Sequence, residues 1–339
     1  MVTLVGTWLW ILIGAGAALR CSAVPPGVDA TDFEATVEDT LDCQPDTDDD
    51  AEQCLHGLRW APSRFQIRWK PRQGSTVYAD ITFPSPRPVG FAEVDQVHCR
   101  WYAVKDAEGH AVPAPAYLVV HESGSSMQVG RLIASSLPSY GVHGVLIELP
   151  GYGARRSPAL DRDNLPAIFR QAIADVRRAR DALRAIPEMR AVGLQGTSLG
   201  GFVATMAGAL DNGFACHVLL LCGGDLYGIL SQGQKDAAKV MEKLRATGAT
   251  EEQLRSGLRE IEPLRIAHRL SPQRTWLFGA TWDEVVPIEH VRRLADRIAL
   301  PSDHRIELPA NHYSGIIYLP SVLSNMARWI NEPRAVPSK

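Results

Sequence analysis

The chain has 339 residues, of which 45% are hydrophobic and 22% charged, with a formal net charge of −3. This length can bury one large core or two modest ones, and the composition is that of a soluble globular protein. The slightly acidic balance gives no reason to expect a nucleic-acid partner.

The first residues predict a secretory signal peptide. Residues 2–18 are almost continuously apolar but too short for a comfortable membrane span, and Cys21-Ser22-Ala23 offers a cleavage site after Ala23. We therefore expect residues 1–23 to be removed and the protein to be secreted or periplasmic. An uncleaved membrane anchor is the alternative, because no Lys or Arg precedes Arg20.

The segment 24–58 is predicted to be an acidic, flexible linker. Residues 29–52 hold eleven acidic residues and no Lys or Arg. Asp46, Asp48 and Asp50 have the opening spacing of an EF-hand calcium loop, but the later positions lack the glycine and glutamate that such a loop needs. A solvated linker is therefore the simpler interpretation.

The positions of the cysteines are compatible with export but do not require it. Cys43 and Cys54 flank the acidic turn at a distance that suits a small disulfide loop, and the sequence leaves open whether the bond forms. Cys99, Cys216 and Cys222 have apolar, strand-like surroundings and are interpreted as buried thiols. No CxxC pair occurs, so a zinc site has no support.

Residues 59–110 are predicted to be the β-rich N-terminal part of a domain that spans 59–335. The alternating runs 65–69 and 76–83 flank a Gly-Ser turn and indicate a hairpin, and 97–104 is a third run. From residue 116 the pattern changes to continuous apolar runs separated by helical stretches, which indicates a mostly parallel sheet covered by helices on both faces. These runs are 116–120, 142–147, 191–194, 217–221 and 275–278.

Two helical regions accompany this sheet. Residues 165–186 carry apolar side chains at helical spacing, and the opposite face is interpreted as solvated. That face carries Arg177, Arg178, Arg180 and Arg184. Residues 226–270 contain two amphipathic segments, the second opened by a capping box at Thr250 and Gln253. A helical lid is one interpretation of this region, and a longer crossover that only packs on the sheet is the other.

The segment Gly196-Thr197-Ser198-Leu199-Gly200 has the pattern of a nucleophile elbow. An apolar run precedes it and a small-residue amphipathic run follows, so the serine lies on a sharp turn between a strand and a helix. Such a turn strains the backbone of the serine and requires neighbours with almost no side chain. Ser198 is therefore the candidate nucleophile.

A serine hydroxyl needs a base, and the base needs an acid that orients it. Asp283 comes just after the strand 275–278 and precedes Val-Val-Pro, and His312 follows a short strand. We prefer Asp283 as the acid over Asp225, which follows the strand 217–221. His98, His143 and His217 are interpreted as ordinary strand or loop histidines.

The elbow, the segment 279–287 and the loop of His312 make residues 117–330 resemble the α/β-hydrolase superfamily. The most similar branch contains esterases, dienelactone hydrolases and prolyl-oligopeptidase-like enzymes. The resemblance implies that Ser198 attacks a carbonyl, that His312 is the general base and then acid, and that Asp283 holds the imidazole. It also implies an acyl-enzyme without metal or organic cofactor.

The resemblance further implies an oxyanion hole formed by the backbone N–H groups of Leu199 and Ser123. Glu122 stands where the family usually has glycine, and its carboxylate would disfavour the oxyanion unless it is turned away. Arg155 and Arg156 follow a Gly-rich loop, and pairing with carboxylates is a better interpretation for them than contact with an acidic substrate group.

Hydrolysis of a small-molecule carboxylic ester is the predicted activity. A serine peptidase on the same fold is the enzymatic alternative, and a non-catalytic binding protein that keeps the fold is the other. The acyl group, the alcohol and the oligomeric state do not follow from the sequence.

Overall fold

The structure is a computed structural model that describes residues 32–158, 160 and 165–332. The predicted signal peptide, 1–23, lies outside these residues, as does the start of the predicted acidic segment. All described residues belong to one compact unit. No helix within these ranges is both long and apolar enough to cross a membrane.

Ten strands in the described part of the chain form one sheet. In chain order they are β1 (Phe33–Glu38), β2 (Arg64–Pro71), β3 (Ala79–Pro84), β4 (Gln96–Tyr102), β5 (Ala114–Val120), β6 (His143–Glu148), β7 (Met189–Thr197), β8 (His217–Leu220), β9 (Thr275–Ala280) and β10 (Arg305–Leu308). Their order in the sheet is β1-β2-β3-β4-β6-β5-β7-β8-β9-β10. Strands β1 to β4 are antiparallel to their neighbours, whereas β5 to β10 are parallel to one another.

Helices cover both faces of this sheet. They are α1 (Asp49–Leu58), α2 (Ala92–Asp95), α3 (Gln128–Ser136), α4 (Leu165–Arg184), α5 (Leu199–Ala209), α6 (Leu226–Gln232), α7 (Asp236–Ala246), α8 (Glu251–Arg259), α9 (Ile288–Ile298) and α10 (Leu319–Asn331). Helices α4, α5 and α9 contribute to one apolar core, through residues such as Ile173 and Leu294. Helices α3 and α10 contribute Ile133 and Val322 to a second core. The predicted fold class, a mostly parallel sheet with helices on both faces and a β-rich N-terminal part, is confirmed.

The acidic segment is folded, so the prediction of a flexible linker over 24–58 is wrong for its described part. This part forms β1, which extends the sheet, and α1, which packs against the core. Two of the aspartates with calcium-loop spacing bind arginines instead: Asp46 pairs with Arg269 at 2.9 Å and Asp50 with Arg265 at 2.8 Å. The negative charge is thus neutralised by partners more than 200 positions away in sequence.

The arginine face of α4 turns inward, and the prediction that it is solvated is wrong. Arg177 is fully buried and binds the carboxylate of Asp211, with Nε at 2.8 Å from Oδ2. Arg178 is also buried and pairs at 2.8 Å with Asp39, directly after β1. Only the last of the four arginines, Arg184, is exposed. Both buried arginines of this face therefore have a carboxylate partner, as buried charges require, and Asp39 of the acidic segment is one of these partners.

Both helices predicted for residues 226–270 are present as α7 and α8. The capping box at the start of α8 forms in both directions: the hydroxyl of Thr250 accepts from Gln253 N at 3.2 Å, and the amide oxygen of Gln253 accepts from Thr250 N at 2.8 Å. Helix α6 is a third element that sequence analysis missed. It begins at Leu226 and is capped by Asp225, whose carboxylate accepts from Gly228 N.

No described cysteine forms a disulfide, so the Cys43–Cys54 bond that the sequence left open is absent. Cys54 lies on the buried face of α1, and desolvation raises its pKa to about 11. Cys43 lies in the loop before α1, where burial raises its thiol pKa although Arg59 hydrogen-bonds to it. Cys99, Cys216 and Cys222 are buried, as predicted.

Candidate active site

Ser198 occupies a strained turn between the end of β7 and the start of α5. Its φ and ψ are 51° and −116°, a region that costs an L-residue about 1–3 kcal/mol. Its N–H donates to Leu220 O at 2.8 Å, which holds the turn in place. A Cβ on Gly196 would lie 2.3 Å from Gly200 O, and one on Gly200 would lie 2.1 Å from Val120 O. Both glycines are therefore required by close backbone contacts.

His312 lies in the loop after β10, with Nε2 at 3.1 Å from Ser198 Oγ. The loop is held by its own hydrogen bonds: the side chain of Asn311 accepts from the N–H groups of Tyr313 and Ser314, and Ser314 Oγ accepts from Asn311 N. This local network orders the loop that carries the imidazole.

Asp283 joins this pair from the loop after β9. Its Oδ2 lies 2.7 Å from His312 Nδ1, while its Oδ1 accepts from Val285 N at 2.8 Å and Val286 N at 2.9 Å. The side chain of Asp283 is fully buried and that of His312 is 11% exposed. A buried carboxylate opposite Nδ1 selects the tautomer with the proton on Nδ1, which leaves Nε2 free to accept the proton of Ser198.

The structure thus brings Ser198, His312 and Asp283 into one hydrogen-bonded chain, and it places Asp225 elsewhere. Asp225 accepts from Gly228 N at 2.9 Å and forms an ion pair with Arg293. These contacts give it a capping role at α6.

The remaining histidines considered in the sequence lie in β4, β6 and β8. His143 Nδ1 accepts from Val104 N at 3.0 Å, which leaves Nε2 to donate to Val112 O, and burial lowers its pKa. His217 is fully buried, and desolvation lowers its pKa to about 3. His98 has a pKa that is likewise lowered by burial. Each of these imidazoles is stabilised in its neutral form.

Glu122 is turned toward the start of α3. Its two carboxylate oxygens accept from Val129 N at 3.1 Å and Gly130 N at 3.0 Å. A carboxylate is stabilised at a helix N-terminus, where N–H groups lack intrahelical acceptors. The residue that was unfavourable for an oxyanion hole in the sequence therefore serves as a helix cap.

The two predicted oxyanion donors follow the neighbouring strands β5 and β7. Leu199 is the first residue of α5, where an N–H has no intrahelical acceptor. Ser123 lies in the loop after β5 and lines the same cavity as Ser198, and its carbonyl accepts from Tyr152 Oη at 3.1 Å.

Arg155 and Arg156 are engaged within the protein. Arg155 is fully buried and pairs with Asp175 at 2.6 Å, while its Nη1 donates to Glu148 O at 2.9 Å. Arg156 donates to Ser125 O at 3.0 Å. The interpretation that Arg155 pairs with a carboxylate is supported by this geometry.

A cavity of about 360 Å³ opens at Ser198 and His312. Most of its lining is apolar and comes from α3, β8, β9, β10 and α10. Asp236, at the start of α7, also lines the cavity, and its carboxylate accepts from Tyr313 Oη at 3.0 Å. Sequence analysis missed Asp236 because nothing in its local sequence distinguishes it from other acidic residues in the first turn of a helix. The position of Tyr313 directly after His312 was the available sign that the Tyr313 side chain would lie near the site.

Comparison with known proteins shows similar folds among esterases and a peptidase. An acetyl xylan esterase from Paenibacillus sp. R4 aligns with 85% of this chain and 95% of its own length, at 18% identity and a TM-score of 0.59. A puromycin-hydrolyzing peptidase of Mycobacterium tuberculosis aligns with 80% of this chain and 47% of its own, at 17% identity and a TM-score of 0.54.

Comparison of sequences finds a relative that matches only part of the chain. An uncharacterized protein of Mycobacterium tuberculosis is 30% identical over 132 residues, which are 39% of this chain and only 31% of that protein. No protein-family model matches the chain. The strand order, the turn at Ser198 and the structural likeness together establish that this chain has the fold of the α/β-hydrolase superfamily.

Proposed function

We propose that the protein hydrolyses carboxylic esters through an acyl-enzyme on Ser198. The observation that carries the proposal is the hydrogen-bonded chain from Ser198 through His312 to the buried carboxylate of Asp283, opening on a cavity. The similarity of the fold to that of an esterase supports a hydrolase function for this geometry.

In the acylation step, Ser198 Oγ attacks the ester carbonyl carbon while its proton passes to His312 Nε2. Asp283 stabilises the imidazolium that forms. The oxyanion of the tetrahedral intermediate binds the N–H groups of Leu199 and Ser123, each worth about 3 kcal/mol to the transition state. Collapse of the intermediate breaks the ester C–O bond, and His312 gives its proton to the leaving alcohol.

In the deacylation step, His312 takes a proton from water, whose oxygen attacks the acyl carbon of the serine ester. The second tetrahedral intermediate collapses with return of the proton to Ser198 Oγ, and the carboxylic acid leaves. The engagement of Glu122 with α3 supports this scheme, because that carboxylate would disfavour the oxyanion if it faced Ser198.

The test combines a fluorophosphonate probe with hydrolysis of p-nitrophenyl butyrate. We expect the probe to label Ser198 and Ser198→Ala to lose several orders of magnitude in kcat/KM, because the other groups cannot replace the nucleophile. Ser135→Ala, at an exposed serine of α3, is the matched control and should retain activity. Absence of labelling, or more than about a tenth of wild-type activity in Ser198→Ala, would contradict the proposal.

We also propose that the protein is exported with cleavage after Ala23, on the basis of the apolar run 2–18 and the small residues that follow it. An uncleaved anchor is the alternative, and the terminus of the protein from its native host distinguishes the two.

A further inference from the structure

The cavity at Ser198 is lined by both polar and apolar residues. Ser198 and His312 belong to the polar part of the lining. The apolar part, here called the apolar end, includes Ile133 of α3, Phe278 of β9 and Val322 of α10, which belong to the second core. These three side chains are at most 4% exposed, so the cavity extends from the nucleophile into the protein between the sheet and two helices.

The two carboxylates that line this cavity already have partners. Glu122 accepts two N–H groups of α3, and Asp236 accepts from Tyr313 Oη and from Lys239 Nζ at 3.1 Å. A polar or charged substrate group placed at the apolar end would lose its hydration without gaining a hydrogen bond, which costs several kcal/mol. The apolar end therefore selects a hydrocarbon group.

Resting on the ester hydrolysis described above, we propose that this cavity binds an aliphatic acyl chain of about four to eight carbons. The volume of 360 Å³ is about twelve times the ~30 Å³ that one water occupies in the liquid. A methylene group is of similar size, so the cavity holds the ester group and several methylenes beyond it. An acetyl group would leave most of this apolar space empty.

The acyl side of the ester, rather than the alcohol side, occupies the buried end. The alcohol must receive its proton from His312 and then leave, and the surface beside His312 is open: Trp282, Tyr313 and Ile317 are 66%, 51% and 67% exposed. The acyl group stays bound to Ser198 until water attacks, and the buried apolar side chains of the lining suit a group that is retained.

The experiment measures kcat/KM for two series of esters. In the first, the p-nitrophenyl leaving group is constant and the acyl chain grows from acetyl to dodecanoyl. In the second, the acyl group is acetyl and the alcohol grows from ethyl to octyl. We expect kcat/KM to rise at least about tenfold from acetate to butyrate, because each buried methylene favours binding of the transition state, and to fall beyond octanoate. A maximum at acetate, or a length preference confined to the alcohol series, would overturn the inference.

Variants at Val322 test the position of the chain. Val322→Phe fills the apolar end and should move the optimum to a shorter acyl chain, while Val322→Ala enlarges it and should move the optimum to a longer one. Val240→Phe is the matched control, because Val240 is exposed on α7 and should leave the optimum where it is. If Val322→Phe does not fold, Val322→Ala still decides the question, and an unchanged optimum in it overturns the inference.

Fluorophosphonate labelling distinguishes failure of the proposed acyl specificity from failure of the proposed ester hydrolysis. If Ser198 is labelled and acetate is the best substrate, the proposed acyl specificity is wrong while ester hydrolysis stands. If Ser198 is not labelled and no ester is hydrolysed, both proposals fail together.

Discussion

Replacement of the Asp283 carboxylate by an amide tests the proposed catalytic chain most sharply. Oδ1 of Asp283 accepts two backbone N–H groups, and Oδ2 lies 2.7 Å from His312 Nδ1. In Asp283→Asn the amide oxygen must stay on the two backbone donors, so the NH₂ group faces His312. Nδ1 then has to accept a hydrogen bond, which moves the imidazole proton to Nε2. In this tautomer Nε2 cannot take the proton of Ser198.

The expected loss is about 10⁴-fold in kcat, the size associated with the wrong tautomer in a serine triad. At about 1.4 kcal/mol per factor of ten, this corresponds to roughly 5.5 kcal/mol of activation free energy. The assay is hydrolysis of p-nitrophenyl butyrate at pH 7, with urea unfolding to verify that the variant is folded.

Asp225→Asn is the matched control, because Asp225 was the alternative acid in the sequence. In the structure it caps α6 and pairs with Arg293, so its amide should keep kcat near the wild-type value. The reasoning is refuted if Asp283→Asn keeps more than about a tenth of wild-type kcat, or if Asp225→Asn is the more damaging change at equal stability.

Three further predictions concern stability and processing. Arg177→Ala should lower the free energy of unfolding by about 3–5 kcal/mol, because it leaves the carboxylates of Asp181 and Asp211 without their buried partner. The control Arg184→Ala, at the exposed end of the same helix, should change the free energy of unfolding by less than about 0.5 kcal/mol. Equal effects of the two substitutions in urea unfolding would contradict the role of Arg177 as an ion-pair partner. His217 has a pKa lowered to about 3 by burial, so the unfolded chain binds its proton first and stability falls as pH drops from 6.5 toward 3, by about 1.4 kcal/mol per pH unit from this residue. His217→Leu should flatten the slope of unfolding free energy between pH 6.5 and 5, and an unchanged slope would count against this assignment. Mass spectrometry of the protein from its native host should find a terminus at Val24, whereas an intact Met1 or Val2 terminus in a membrane fraction would mean an anchor.

Sequence patterns predicted those parts of the molecule that short-range physics controls. The continuous apolar run 116–120 became β5, because a strand covered on both faces must be apolar at every position. The glycines of the elbow mark a turn in which a Cβ has no room. The spacing of Asp283 and His312 after their strands placed both at the same edge of the sheet as Ser198, where the structure finds them.

Charged residues were predicted less well, because their environment depends on partners far away in the chain. The acidic segment and the arginines of α4 were each interpreted as solvated, but members of both form ion pairs: Asp39 pairs with Arg178 of α4, and Asp46 pairs with Arg269, which lies outside α4. Taken alone, each pattern is that of a solvent-facing surface. Because β1 joins the edge of the sheet, Asp39 at its end reaches Arg178 of α4, and both side chains are buried.

The sequence by itself therefore determined the parallel sheet, the strained turn at Ser198 and the identity of the groups that follow the strands. The tertiary structure decided the direction in which Glu122 points, the contact between Asp236 and Tyr313, and the depth and apolar character of the cavity. The physical reason is that periodicity and glycine content report the backbone conformation of a residue and its neighbours. Hydrogen-bond partners and cavity shape instead depend on side chains that the fold brings together from distant parts of the chain.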